Sequence, residues 1–293
     1  MSRKGFFLFL TAGVAWGIPY FYIRIAAEEF SAPAIVFART LVGAAVLLPL
    51  AIRRGALKPA LKAWKYVLAF AILEMMIPWI ALSTAEAGTP VHINSGLAGL
   101  LIATVPFFAT FLGYFYMGDK SVFHPKTVFG LVTGFIGLVL LVGIDAFAGK
   151  IDPFWVGVVM VAALGYAIAP AIIAKKASDV PSEGVMSLSM ALVAVVYAVP
   201  ALLNPLHPGV TTPSFDGWFA LGMLGVVCSA VAFIVFFALI KEIGSTRATL
   251  ITYPNTLVAI LLGVVFLQEP LTTGMLIGIP LVIVGSFFAT RKH

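Results

Sequence analysis

The amino-acid sequence predicts an all-α membrane protein of ten transmembrane helices, arranged as two inverted five-helix repeats over 1–146 and 147–293 in one integrated membrane domain. Three observations carry this expectation. The chain is 61% hydrophobic and 10% charged with a mean hydropathy of +1.09, too little polar surface for a water-soluble globule of this length. Its apolar runs are on the order of 20 residues each, the length that crosses a ~30 Å hydrocarbon core as a helix, and unlike the ~10-residue alternating strands of an outer-membrane barrel. Pro106, Gly130 and Gly137 recur as Pro254, Gly278 and Gly285, each pair 148 positions apart. With 27 Gly and 18 Pro in the chain, roughly one such coincidence arises by chance, so the period counts only where its context also repeats.

Pro, Gly and acidic residues punctuate the apolar runs and set the spans. The first runs from Gly5 to Ala27. Its basic start looks like a signal peptide, but the apolar run continues through Trp16, Pro19 and Tyr20 and is long enough to stay as a span. Spans two to five are Pro33 to Ile52, Trp64 to Ala85, Ile93 to Met117 and Lys126 to Ile144. Spans six to ten are Phe154 to Ala174, Gly184 to Leu203, Trp218 to Ile240, Ala248 to Leu267 and Gly274 to Thr290. No loop is long enough for a soluble domain, so function is expected within the bilayer or at its rim.

Charge sets the orientation. If the chain starts in the cytoplasm, fifteen of its eighteen Lys and Arg residues fall in inside segments, among them Arg53, Arg54, Lys58, Lys62, Lys175 and Lys176. The outside loops hold Lys150 alone, while Arg24 and Arg39 lie within or at the ends of spans. Translocating Lys and Arg is disfavoured, so this partition implies an even number of spans with both termini cytoplasmic in the inner membrane. The net charge of +6 therefore reports topology, and no nucleic-acid partner is expected. Cys228 is the one cysteine, which excludes an internal disulfide and a Cys-rich metal site. No HExxH, GxSxG, paired intramembrane Asp, His cluster or P-loop is present, so neither an enzyme nor an ATP-driven pump is expected, and no cofactor or metal.

The repeat now acquires its context. Pro106 and Pro254 fall in spans four and nine, and the glycine pairs in five and ten. Trp16 to Pro19 in the first span resembles Tyr166 to Pro170 in the sixth, and Pro49 and Pro200 close the second and seventh. The match joins span n to span n+5, and because five is odd the second half enters the membrane from the opposite side. Such a pseudo-two-fold axis in the membrane plane is the architecture of many secondary transporters, with a midplane site between repeats that is alternately exposed.

The run Phe266, Leu267, Gln268, Glu269, Pro270, Leu271, Thr272 leading into Gly278 and Gly285 resembles the closing motif of EamA domains in the drug/metabolite transporter superfamily. Tyr116, Met117, Gly118, Asp119 leading into Gly130 and Gly137 resembles the same motif in the first half. Trp16 with Gly17, and Phe37, Ala38, Arg39 in the second span, are similar as well. The resemblance covers essentially the whole chain as two EamA repeats. Within the superfamily the aromatic-rich spans look most like YddG-type exporters of aromatic and other amino acids. The chain departs from the usual pattern in the long connection Glu86 to Asn94 and in Glu74.

Glu74 is the most costly residue in the bilayer, nine positions past Lys65 and so about 14 Å into the membrane. It reads as a contact for a substrate ammonium or a proton-coupling group, the alternative being a structural carboxyl paired to Arg39 or buried protonated. Arg39 reads as a structural charge between helices, with substrate-carboxylate binding as the other role. Trp16 and Tyr20, at i, i+4, share a helix face beside Pro19, and Tyr166 is the repeat partner of Trp16. These aromatics, with Trp79 beside Pro78, either line a substrate cavity or pack against neighbouring helices. Tyr253, Pro254 and Asn255 combine a kink with two polar side chains, and the carbonyl freed by the proline is open to substrate or water. Ser229 is expected to bond its own helix. His92 and Asn94 read as solvated residues of the outer mouth. Asp119 and Glu269 read as caps or anchors of short loops. The paired glycines permit close helix packing.

The function expected is a secondary transporter that exports amino acids, aromatic or hydrophobic, or related small metabolites, by alternating access through a cavity between the repeats. A lipid flippase or scramblase of the same fold is the alternative. A monomer suffices for such a pathway, and the glycine faces leave room for a dimer.

Overall fold

A computed structural model of the chain describes residues 2–87, 91–118, 124–147, 152–243, 248 and 251–290. Its helices run in the order α1 (Arg3–Ala27), α2 (Ala32–Arg53), α3 (Leu57–Lys62), α4 (Trp64–Ala85), α5 (Ser95–Tyr116), α6 (Pro125–Phe147), α7 (Pro153–Lys176), α8 (Ser182–Leu203), α9 (Phe215–Ile243), α10 (Thr252–Phe266) and α11 (Thr273–Thr290). Among the described residues no helix-length apolar run is folded as strand, and one isolated bridge joins Phe30 to Leu206. Among the described residues seven helices, α1, α2, α4, α5, α7, α8 and α9, are long and apolar enough to cross a membrane by length and composition. Shorter apolar stretches occupy α10 and α11, and α6 spans 23 residues. The outer wall is apolar: Phe115, Val195, Leu203 and Phe215 are each more than 70% exposed, which fits lipid and not water.

Helix starts follow local chemistry. Side-chain oxygens of Ser2, Ser31, Asn94, Asp152 and Ser214 accept the free amides of Gly5, Ala34, Leu97, Phe154 and Gly217. Proline at the first turns of α2 and α7 removes an amide that has no partner there. Gly118 ends α5 at φ 74°, a left-handed cap open to a residue without Cβ.

Two features differ from the expected spans. The six-residue helix α3 lies between α2 and α4, where the sequence reads as a basic loop. The expected continuous span Ile93 to Met117 is broken into Ser95–Ile102 and Val105–Met117, because Pro106 cannot donate to the preceding turn. Within α4 and α9 the turns Ala71–Met76 and Val226–Val231 are wound wide, as π-helix.

The main pairings are α1 with α9 and α10, α7 with α4 and α5, α2 with α8 and α9, α8 with α4, α5 with α10, and α6 with α11. Glycines decide the closest of these. A Cβ on Gly13 would sit 2.5 Å from Pro254 Cγ, and one on Gly17 2.5 Å from Val258, so α1 and α10 touch backbone to side chain. Gly137 lies against Leu281, and Gly285 against Gly130 and Gly134, which assigns these glycines of α6 and α11 to packing. Gly165 of α7 lies against the Leu73 carbonyl at the wide turn of α4.

The two ends of the bundle are tied differently. At one end Ser2 donates to Glu242 at 2.6 Å, Arg54 pairs with Glu183, and Lys175 donates to the Tyr116 carbonyl. At the other, Glu29 accepts from the amide of Ser214 at 2.6 Å, Ser31 donates to the Asn204 carbonyl at 2.5 Å, and His92 stacks on Trp155 at 4.2 Å. This second end also carries Glu86, Asn94 and Glu269.

Candidate functional site

Polar side chains inside an apolar bundle need an explanation, because an amide or hydroxyl left without a partner costs on the order of 1–3 kcal/mol and a charge more. Arg39, two turns into α2, is 3% exposed. Its Nε donates to Ser229 Oγ at 3.3 Å, and its guanidinium lies over the Trp79 ring, 3.6 Å from the centroid. Ser229 in turn donates to the Leu224 carbonyl at 2.8 Å, the i−5 position that the wide turn of α9 presents. Ser229 thus bonds its own helix as expected, and it also holds Arg39.

The alternative of an Arg39–Glu74 pair is not what the structure contains. Among the described residues no carboxylate lies within 4.0 Å of the guanidinium. The stacking on Trp79 contributes about 2 kcal/mol when desolvated, and one hydrogen bond about 1 kcal/mol. Against a cost of about 2.5–3.5 kcal/mol or more for an arginine at bilayer depth, the site is at best balanced.

Glu74 sits in the wide turn of α4, 9% exposed, with its Oε2 unpartnered. Tyr166 of α7 lies within electrostatic range of both Glu74 and Arg39, and its hydroxyl within reach of the Trp79 indole N–H. Tyr20 of α1 is buried and neighbours Asn255 of α10 and Arg39. Asn255 is 5% exposed and its Oδ1 is unpartnered. Tyr20, Arg39, Glu74, Trp79, Tyr166, Ser229 and Asn255 therefore gather from six helices into one buried cluster. Trp16 stands at its edge, half-buried, packed on Phe236 at 4.6 Å and edge-on to Phe233 at 5.1 Å. The side chain of Tyr253, and Asp119, lie outside the described residues.

Glu269 is a cap, as expected: its carboxylate accepts the amides of Ser95 at 2.8 Å and Gly96 at 3.1 Å, opening α5. Asn94 caps α5 and His92 stacks on Trp155, and both stay part-exposed, as residues expected to be solvated. Glu86 and Ser95 carry no sequence signal beyond a polar loop, yet both are fully buried. The wide turns of α4 and α9 have no signature in the sequence either.

The arrangement offers a buried cation without a counter-charge, a buried carboxyl across from it, and aromatic faces between them. It contains no nucleophile–base pair, and no group of three or more His, Cys, Asp or Glu that could hold a metal among the described residues.

The profile of the EamA-like transporter family matches residues 3–143 and again 153–291. The uncharacterized transporter YvbV of Bacillus subtilis is 28% identical over 95% of this chain and 89% of its own length. The uncharacterized inner membrane transporter YedA of Escherichia coli is 24% identical over 85% of this chain and 78% of its own. A protein of solved crystal structure, 20% identical, superposes over 99% of this chain and 97% of its own with a TM-score of 0.67, a likeness of fold.

Proposed function

The chain belongs to the EamA-like transporter family, and on that premise we propose that it exports amino acids, aromatic or hydrophobic, or related small metabolites across the inner membrane by alternating access. The carrying observation is Arg39, a guanidinium 3% exposed with no carboxylate within 4.0 Å among the described residues. A substrate carboxylate supplies the missing charge. Its ammonium is received by Glu74, whose Oε2 is unpartnered, and its side chain by Trp16, Tyr20, Trp79 and Tyr166. Asn255 and Ser229 hold the polar rim of the site, and Tyr253 belongs with them from its place in the sequence.

Three findings support an inverted repeat, with α6, α10 and α11 completing ten spans. The helix pairings exchange when each of the first five spans is swapped with its partner in the second half: α1 on α9 and α10 becomes α7 on α4 and α5, while α2·α8, α5·α10 and α6·α11 map onto themselves. The order of buried and exposed positions over 11–19 also recurs at 161–169, which equates Trp16 with Tyr166. The wide turns of α4 and α9 fall on partner helices and carry Glu74 and Ser229 respectively. Such turns break helix regularity at sites of function and give each half a hinge. Basic residues at the end holding both Lys4 and Lys175 support cytoplasmic termini.

The test is efflux from proteoliposomes loaded with single radiolabelled amino acids, run beside a labelled-lipid scrambling assay. Efflux of phenylalanine, tyrosine or tryptophan is expected, with lipid unmoved. Movement of lipid with every amino acid retained would favour the flippase reading instead.

A further inference from the structure

At the end carrying Glu29 and Glu269, and joined to the central cluster through Tyr20, lies a second polar group. Glu86, one residue past α4, is fully buried. Its Oε2 is 3.1 Å from Ser95 Oγ, and its Oε1 has no partner. Ser95 Oγ is also 3.1 Å from the Tyr20 carbonyl of α1. A serine hydroxyl has one proton. Given to the Tyr20 carbonyl, it leaves Oε2 of an ionised Glu86 facing a lone pair; given to Glu86, it leaves the charge with one hydrogen bond and an orphaned Oε1. Neither stabilises a buried carboxylate, and Glu269 stands on the same helix start, accepting the Ser95 and Gly96 amides.

We infer that Glu86 is a proton-binding site and that its bound proton latches this end of the transporter shut. Protonated Glu86 donates from Oε2 to Ser95 Oγ, and Ser95 donates to the Tyr20 carbonyl. The chain Glu86–Ser95–Tyr20 then joins the end of α4 and the start of α5 to α1, two turns before its end. Burial, and next the neighbouring Glu269, both hold the Glu86 carboxyl well above the usual carboxylate range. The charged groups facing it are Glu269 from the α10–α11 connection, Arg24 from α1 and Arg39 from α2. Arg24 is engaged with Glu28 at 3.0 Å and Arg39 with Trp79 and Ser229, and neither pairs with Glu86. The sign follows: the latch is intact below the raised carboxyl pKa and is lost as pH rises through it, when the proton leaves to water and two carboxylates confront each other. Acid on this face therefore favours closure. The latch rests on the transporter reading for its consequence only, since the proton site stands independently of any cargo.

The test uses the full-length protein in lipid. Infrared spectra at neutral pH are expected to show a protonated-carboxyl component that Glu86→Gln removes and Glu74→Gln leaves in place; a spectrum unchanged by Glu86→Gln overturns the proposal. Spin labels at Phe154→Cys and Phe215→Cys, in a Cys228→Ser background, read the distance between α7 and α9 at this end. In the otherwise native protein the distance lengthens as pH rises. It stays short in Glu86→Gln, whose amide donates to Ser95 as the protonated acid does, and is long at every pH in Ser95→Ala. A native distance indifferent to pH, or a Glu86→Gln response equal to the native one, contradicts the latch.

Discussion

At the residue scale, Arg39 and Glu74 are proposed to divide the work by charge. If Arg39 receives a substrate carboxylate, replacing it with Gln removes charge-assisted hydrogen bonds of about 1.5–3 kcal/mol, a rise in KM of about 10–100-fold. Transport kinetics in liposomes read this directly, and an unchanged KM would assign Arg39 to helix packing. Glu74→Gln separates two roles for the carboxyl. Loss of the response to an imposed pH gradient with counterflow retained is expected for proton coupling, and loss of both for ammonium binding; equal behaviour of variant and native protein would remove Glu74 from the mechanism. The acid itself is legible in the sequence, because no helix of this hydropathy carries a mid-span carboxyl without cause. The partner of Arg39 is not. Ser229 lies 190 positions away and reaches Arg39 through the packing of α2 on α9, which no local pattern encodes.

At the element scale, composition and punctuation account for most helices, and the departures have local causes. The break in α5 before Pro106 follows from a missing amide. The short helix α3 was hidden because its six residues, Leu57–Lys62, carry two lysines and a proline and read as a basic loop. The wide turns were invisible, since an extra residue in a turn leaves hydrophobicity intact. They lead to a prediction. Deleting one residue within Val226–Val231 restores a regular turn and keeps both flanks of α9 in register, so the protein inserts and its thermal unfolding shifts by only a few degrees, while transport is lost. Retained transport would show that the turn is no hinge. Gly13 has the opposite profile: Gly13→Val drives a side chain into the Pro254 ring, and thermal unfolding should report about 1–3 kcal/mol of destabilisation. A neutral outcome would mean that α1 and α10 separate freely.

At the scale of the whole molecule, two halves meet at a buried polar cluster, one end is basic, and the other carries Glu29, Glu86 and Glu269. Orientation is tested by cysteine labelling in a Cys228→Ser background. A membrane-impermeant thiol reagent added to intact cells should label Asp216→Cys and spare Lys62→Cys, both exposed, and the reverse would invert the topology. The all-helical membrane fold and the family were legible because they are written in composition, apolar run length and repeated glycines and prolines. The cluster was legible only as a set of candidates, since its members come from six helices and meet through tertiary packing. The central claim is that a carboxylate-bearing substrate crosses through Arg39. Counterflow of a radiolabelled aromatic amino acid into liposomes, measured side by side for the native protein and Arg39→Gln, tests it most directly. Accumulation by the native protein and its loss in a folded Arg39→Gln is the result predicted; equal accumulation by both would contradict it.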